Sequence, residues 1–225
     1  MRPVTKGAAP KAYARHEEAQ PDLITVIGRF CSYCGRFIPE GINVEHKRPK
    51  KKYPLEKLEW SNFLLACSNC NSCKGHGKIK IGNFIWPDSD NTMRAFRHLP
   101  GGIVRTNHHL PKKLRRKASR TICLVGLDLV PGGFRTPSDR DFRWEDRRRE
   151  WDKAVLAKDQ LTAYDTLQQR DFIVAAAQNR IFPIWWTVFA GDVDMRRRLR
   201  VAFRGTTANC FDQDENLVAR PGGQL

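Results

Sequence analysis

The chain has 225 residues, enough for one large domain or two small ones around a real core, and 40 % hydrophobic residues with six Trp and twelve Phe exclude a disordered chain. A formal net charge of +16 draws nucleic acid or an anionic membrane surface. No apolar run of about 18 residues is present to span a bilayer, and MRPVTKGAAPKAYARHEEAQPD lacks the apolar stretch of a signal peptide, so a cytoplasmic location is expected.

In chain order, residues 1–24 read as a flexible or loosely docked arm of mixed charge and weak periodicity. Residues 25–90 carry most of the motif signal. FCSYCGRF is a tight turn, and GINVEH is a short strand with Ile42 and Val44 on one face. KRPKKKYPLEKLEW is polar and interrupted by Pro49 and Pro54, which makes it a loop. NFLLAC is a second strand, and SNCNSCKGHGK begins a short helix closed by Gly75 and Gly77.

Residues 91–225 read as mainly helical. One helix follows Pro111, which suits a first turn. A second starts near Ser138 and sets Trp144, Trp151 and Val155 on one face, and LTAYDTLQQRDFIVAAAQNRI is the next. A further helix places Met195, Leu199, Ala202 and Phe203 inward, with Arg196, Arg197, Arg198 and Arg200 on its other side. IFPIWWTVFAG reads as core, or as a surface for a partner or a second copy, and the tail from Gly205 is irregular. Net charge divides evenly: residues 1–80 hold 15 Lys+Arg against 7 Asp+Glu, and the remainder 25 against 17, so two surfaces are expected to face the polyanion.

Seven cysteines in a reducing compartment read as metal ligands before disulfides. Cys31-x-x-Cys34 and Cys67-x-x-Cys70 are two turns that each aim a pair of thiolates at one point, and together they complete the sulfur tetrahedron of a closed, structural Zn²⁺ site. A redox reading needs a thioredoxin-like βαβ pattern, which is absent. Cys73 lies close enough to exchange with Cys70, whereas Cys123 and Cys210 read as core or surface thiols.

Between the knuckles stand Glu45-His46 and Asn62, and Asn71 and Lys74-Gly75 follow the last one. This order, CSYCG…VEH…WSNFLLACSNCNSCKG, resembles the HNH endonuclease family in its zinc-stapled form, over residues 31–75. The resemblance implies an α+β fold: a small ββα-metal core of two strands and a helix, stapled by zinc, followed here by the helical extension. It implies hydrolysis of DNA phosphodiester bonds to 5′-phosphate and 3′-hydroxyl ends at a single divalent ion. By motif, Glu45 takes the place of the metal-binding acid and His46 that of the general base. Asn62 takes that of the asparagine that fixes the loop. Asn71 stands where many members carry a last histidine. Its amide oxygen is a hard ligand, which favours Mg²⁺ or Mn²⁺.

The chemistry asks for the same residue types independently. A neutral imidazole with an ordinary pKa of about 6.5 accepts a proton from water at neutral pH. An ion held by one carboxylate and one amide keeps open positions for phosphate oxygens and water. Neighbours on a regular strand point to opposite faces, so Glu45 and His46 share a site only where the strand ends or bends. The cations behind them, Lys47, Arg48, Lys50, Lys51 and Lys52, together with Lys74, are expected at the substrate backbone. The runs at 147–149 and 196–200, near aromatic residues, are candidates for further backbone and base contacts.

RNA stays open as a substrate. A non-catalytic zinc module that binds nucleic acid is the main rival, and it has no need of Glu45, His46 and Asn71 together. A nuclease core with a helical extension also resembles the HNH effectors of anti-phage defence, which work with an ATPase or sensor subunit. That layout raises the alternative of a subunit silent without its partner.

Overall fold

A computed structural model describes residues 1–225. Strands β1 (Asn43–His46) and β2 (Phe63–Ala66) pair antiparallel, with Val44 opposite Leu65, Glu45 opposite Leu64 and His46 opposite Phe63. Every residue of β2 is apolar and buried, which fixes the hairpin against core on both faces. Helix α2 (Ser68–Lys74) follows at once. The Cys67 sulfur caps it by accepting the Cys70 N–H, and Gly75 ends it at φ 61°. This is the expected ββα unit.

The first residues are not a loosely docked arm. Arg2 donates to the carbonyls of Ile27 (2.7 Å) and Phe203 (3.0 Å), and Lys6 to those of Trp60 (2.8 Å) and Phe63 (2.6 Å). Val4 bridges to Thr206, and Tyr13 stacks on Trp60 before helix α1 (Gln20–Ile27). An extended segment buries isolated apolar residues without any period, so periodicity does not reveal that it is docked.

Beyond residue 90 the regular elements are helices with one exception, and residues 126–142 and 203–225 are largely irregular. A short α3 (Thr92–Ala95) leads into a hairpin of β3 (Phe96–Leu99) and β4 (Ile103–Thr106), with His98 opposite Val104. Its turn, Pro100-Gly101-Gly102, passes so close to a later helix that a Cβ on Gly102 would lie 2.1 Å from the Trp144 carbonyl oxygen. The helices α4 (Lys112–Val125), α5 (Arg143–Ala163), α6 (Leu167–Ala177), α7 (Phe182–Val188) and α8 (Val193–Ala202) complete the chain.

Helix α5 begins later than expected, where the Asp141 carboxylate accepts the Arg143 N–H (3.2 Å). Of its expected face, Trp144 and Trp151 are half-buried while Val155 is exposed. The single helix expected from Leu161 onward is broken, because Thr166 caps a new helix by accepting the Gln169 N–H. Met195, Leu199 and Phe203 are buried as expected, and IFPIWWTVFAG is core.

The cysteine frame shares one apolar cluster with Trp86, Phe96, Val104 and the inner face of α4. A second cluster joins α5 to α8, and a third joins α1 to β1 and β2. Apolar packing thus runs through the position of the expected boundary at residues 90 and 91. No helix is long and apolar enough to cross a membrane.

Candidate active site

The first knuckle closes on itself. The Cys31 N–H donates to the Arg36 carbonyl and the Gly35 N–H to the Cys31 carbonyl, both at 2.9 Å. That turn faces the first turn of α2, and the four sulfurs of Cys31, Cys34, Cys67 and Cys70 lie within 4.8 Å of one another, all buried. Cys34 and Cys67 are 3.9 Å apart. Tetrahedral zinc with bonds of about 2.3 Å sets its sulfurs roughly 3.8 Å apart, so the donor set fits Zn²⁺. Burial pushes the Cys31 and Cys70 thiols up, while hydrogen bonds from neighbouring thiols hold Cys34 and Cys67 down.

Cys73 is outside the cluster. One further turn of helix carries its thiol toward α4 and α5, where the Arg143 guanidinium reaches it (3.4 Å). Arg143 also donates to the Cys70 sulfur (2.9 Å) and pairs with Asp141 (2.6 Å). It ties the cysteine frame to α5. No sequence signal distinguishes this arginine from its neighbours, since only the fold brings it to the sulfur.

Glu45, His46 and Asn71 line one cavity of about 210 Å³ at the end of β1, together with Lys74 and Lys50. The strand ends at His46, and although the two residues are adjacent both line this cavity. The His46 ring packs edge-on to Phe63 (5.2 Å). Its Nε2–H donates to the Lys57 carbonyl (2.9 Å), which leaves Nδ1 as the nitrogen with the lone pair. Burial holds the imidazole below its ordinary pKa, aided by His16, Lys50 and Lys74 and opposed by the Lys57 carbonyl.

Burial pushes the Glu45 carboxyl up, and Lys74 pulls it back. Asn62 lies outside the cavity lining and staples the loop behind it. Its side-chain amide donates to the carbonyls of Arg48 (3.0 Å) and Glu56 (3.1 Å), and its oxygen accepts the Arg48 N–H (2.8 Å). The same loop supplies the Lys57 carbonyl to His46.

The expected backbone-binding cations divide. Lys50, Lys51 and Lys52 are exposed. Lys47 is held by the buried Asp88 (2.7 Å), and Arg48 by Glu56. Lys74 is buried, with its ammonium 2.6 Å from the Glu45 carboxylate. These three turn inward because the fold buries a carboxylate beside each or half-buries one, and an unpaired carboxylate there is costly.

In the arginine runs, most side chains are engaged within the protein, though Arg148 and Arg149 stay exposed. Arg147 is buried and donates to the Gly102 carbonyl (2.7 Å), while Arg149 pairs with Glu145 (2.7 Å). On α8, Arg197 and Arg200 meet the buried Glu215, Arg198 meets Asp171 and Asp194, and Arg196 stacks 3.8 Å over Trp186.

His16 was not anticipated. Its ring lies 4.8 Å from that of His46 in the same cavity. Its Nδ1–H donates to Glu17 (3.1 Å), and its Nε2 accepts from the Lys50 ammonium (3.3 Å). Burial and Lys50 lower its pKa. His76 lines the same wall. His16 stands in the segment read as an arm, with no motif around it.

A stapled hairpin and helix enclosing a pocket of acid, histidine and amide defines a ββα nuclease-type unit. Residues 31–77 match the family model for HNH endonuclease, and this part of the chain is an HNH endonuclease domain with a four-cysteine, zinc-type cluster. The family associates the chain with nucleic-acid chemistry. No curated protein matches the chain.

Proposed function

We propose that the protein is a metal-dependent endonuclease that hydrolyses DNA phosphodiester bonds. The observation that carries this reading is the convergence of Glu45, His46 and Asn71 on one small cavity, with the Nε2 of His46 engaged by a backbone carbonyl. The Glu45 carboxylate and the Asn71 amide oxygen form a hard donor pair that suits Mg²⁺ or Mn²⁺. Such an ion, when bound, supplies charge stabilisation at the phosphate oxygens.

His46 holds its neutral form at pH 7 and accepts the proton of the attacking water at Nδ1. The Lys57 carbonyl fixes the ring, and Asn62 fixes the loop that carries that carbonyl. Lys50, placed at the cavity by His16, sits where a substrate phosphate enters. Lys51 and Lys52 add salt-sensitive affinity without sequence information. Lys74 pairs with the Glu45 carboxylate inside the protein.

The test is a plasmid-cleavage time course with Mg²⁺, Mn²⁺ or EDTA, comparing wild type with His46→Ala at equal zinc content. The expected result is metal-dependent cutting that falls by about 10²–10⁴ in the variant. Plasmid bound but uncut by both proteins would favour a non-catalytic binding module instead.

A further inference from the structure

We propose that the outer face of α4 is a second nucleic-acid surface that grips the phosphate backbone of duplex DNA beside the cleavage site; this rests on the proposed DNA substrate. Lys112, Lys113, Arg116, Lys117 and Arg120 line a groove of about 480 Å³ with Asn83, and the lining contains no acid and no apolar residue. At 100° per residue these five positions fall within one 140° stripe of the helix. The opposite face, with Ala118, Thr121, Ile122 and Val125, is buried.

These cations differ from the paired arginines of α8. None of the five forms an ion pair within the protein; only Lys117 has a side-chain partner, the neutral Gln224. Helix α4 contains no acidic residue, and its first turn carries lysines without an acid or a side-chain cap. Positive charge there opposes the helix dipole and repels its neighbours along the stripe. An external polyanion relieves both.

The stripe suits a duplex in length and position. From Lys112 to Arg120 the helix rises about 12 Å, the axial span of three to four phosphates on one strand. Its buried face packs in the same cluster as Cys67 and Cys70, against α2, which carries Asn71 and Lys74. With helix axes about 8–10 Å apart, the outer face of α4 is about 15 Å from the α2 axis, less than half a turn of duplex.

The experiment is fluorescence anisotropy of a labelled duplex of about 25 base pairs with full-length protein in the His46→Ala background, titrated at several KCl concentrations. Each phosphate contact contributes roughly 0.9 to the slope of log affinity against log salt. The variant Lys113→Gln/Arg116→Gln/Arg120→Gln is expected to reduce that slope by about 2–3. The conservative Arg116→Lys/Arg120→Lys is expected to retain it.

A matched loss of three charges on α5, Arg148→Gln/Arg149→Gln/Lys153→Gln, is expected to leave the slope unchanged. Equal slope changes in the α4 and α5 variants would mean that only net charge matters, and would overturn the proposal. So would an unchanged slope in the α4 variant, or a change seen with duplex RNA but not with DNA. The nuclease reading fails separately: if wild type leaves plasmid uncut while the α4 slope falls, the surface stands and the endonuclease does not.

Discussion

Helices α4 and α8 are both rich in arginine and lysine, yet they differ in what surrounds the charge. On α8, Arg197 and Arg200 converge on Glu215, which is 0 % exposed, and Arg198 is held between Asp171 and Asp194. On α4 the cations face a groove with no acid in it. Composition treats the two helices alike, since each is a basic amphipathic segment. The difference shows that a basic run is informative about a partner only after its internal partners are known. Cations committed to buried acids are part of the fold; uncommitted cations are available to a ligand.

The inner face of α4, opposite its free cations, packs on the cysteine frame, and the largest effect is expected from removing one of the four cysteines. Cys67→Ser is expected to lose zinc and cooperative folding, because structural zinc sites contribute apparent energies of about 10–16 kcal/mol to folding. Zinc content and circular dichroism read this directly. The apolar cluster shared with α4 predicts that the helical part melts as well. A variant without zinc that kept a cooperative helical transition would show that the two parts fold separately.

A smaller effect sharpens the α8 side. Glu215→Gln leaves Arg200 and Arg197 without their buried carboxylate and is expected to destabilise by about 2–3 kcal/mol. For a chain of this size the midpoint of thermal unfolding then falls by about 5–10 °C, with zinc content unchanged. An unaltered midpoint would mean that the α8 arginines are as uncommitted as those of α4.

The smallest effect concerns the hairpin that joins the halves. His98 is buried on β3 and faces the Met1 amine and Arg147, and burial holds its pKa well below the ordinary value. The unfolded chain therefore binds a proton that the folded chain does not. His98 contributes full stability above about pH 6.5 and progressively less below it, by up to about 1.4 kcal/mol per pH unit. Urea unfolding of wild type and His98→Leu at pH 7.5 and 5.5 should show a shallower acid loss in the variant. Parallel losses would exclude His98 as the source.

Much of the cysteine-stapled ββα region was legible in the residues themselves. The paired CxxC spacing, the apolar NFLLAC strand and the Gly75 stop define a local unit whose parts lie close in sequence, and local geometry builds it. The grouping of Glu45, His46 and Asn71 followed from the same local order. The β3–β4 hairpin was missed because FRHL and IVRT are short and carry charge on their outer faces. The break at Thr166 was missed because helix propensity on either side is continuous.

What the sequence determined by itself was the stapled ββα unit, the zinc-type cluster and the excess of positive charge. Only tertiary structure decided which charges are free. It brought His16 from the first segment against His46 and Arg143 from α5 onto the Cys70 sulfur. It set Lys74 on Glu45 and Glu215 beneath α8, and it left the outer face of α4 without an acid. Spacing encodes contacts between near neighbours in the chain, whereas the pairing of a buried charge depends on which distant segment the packed core brings beside it.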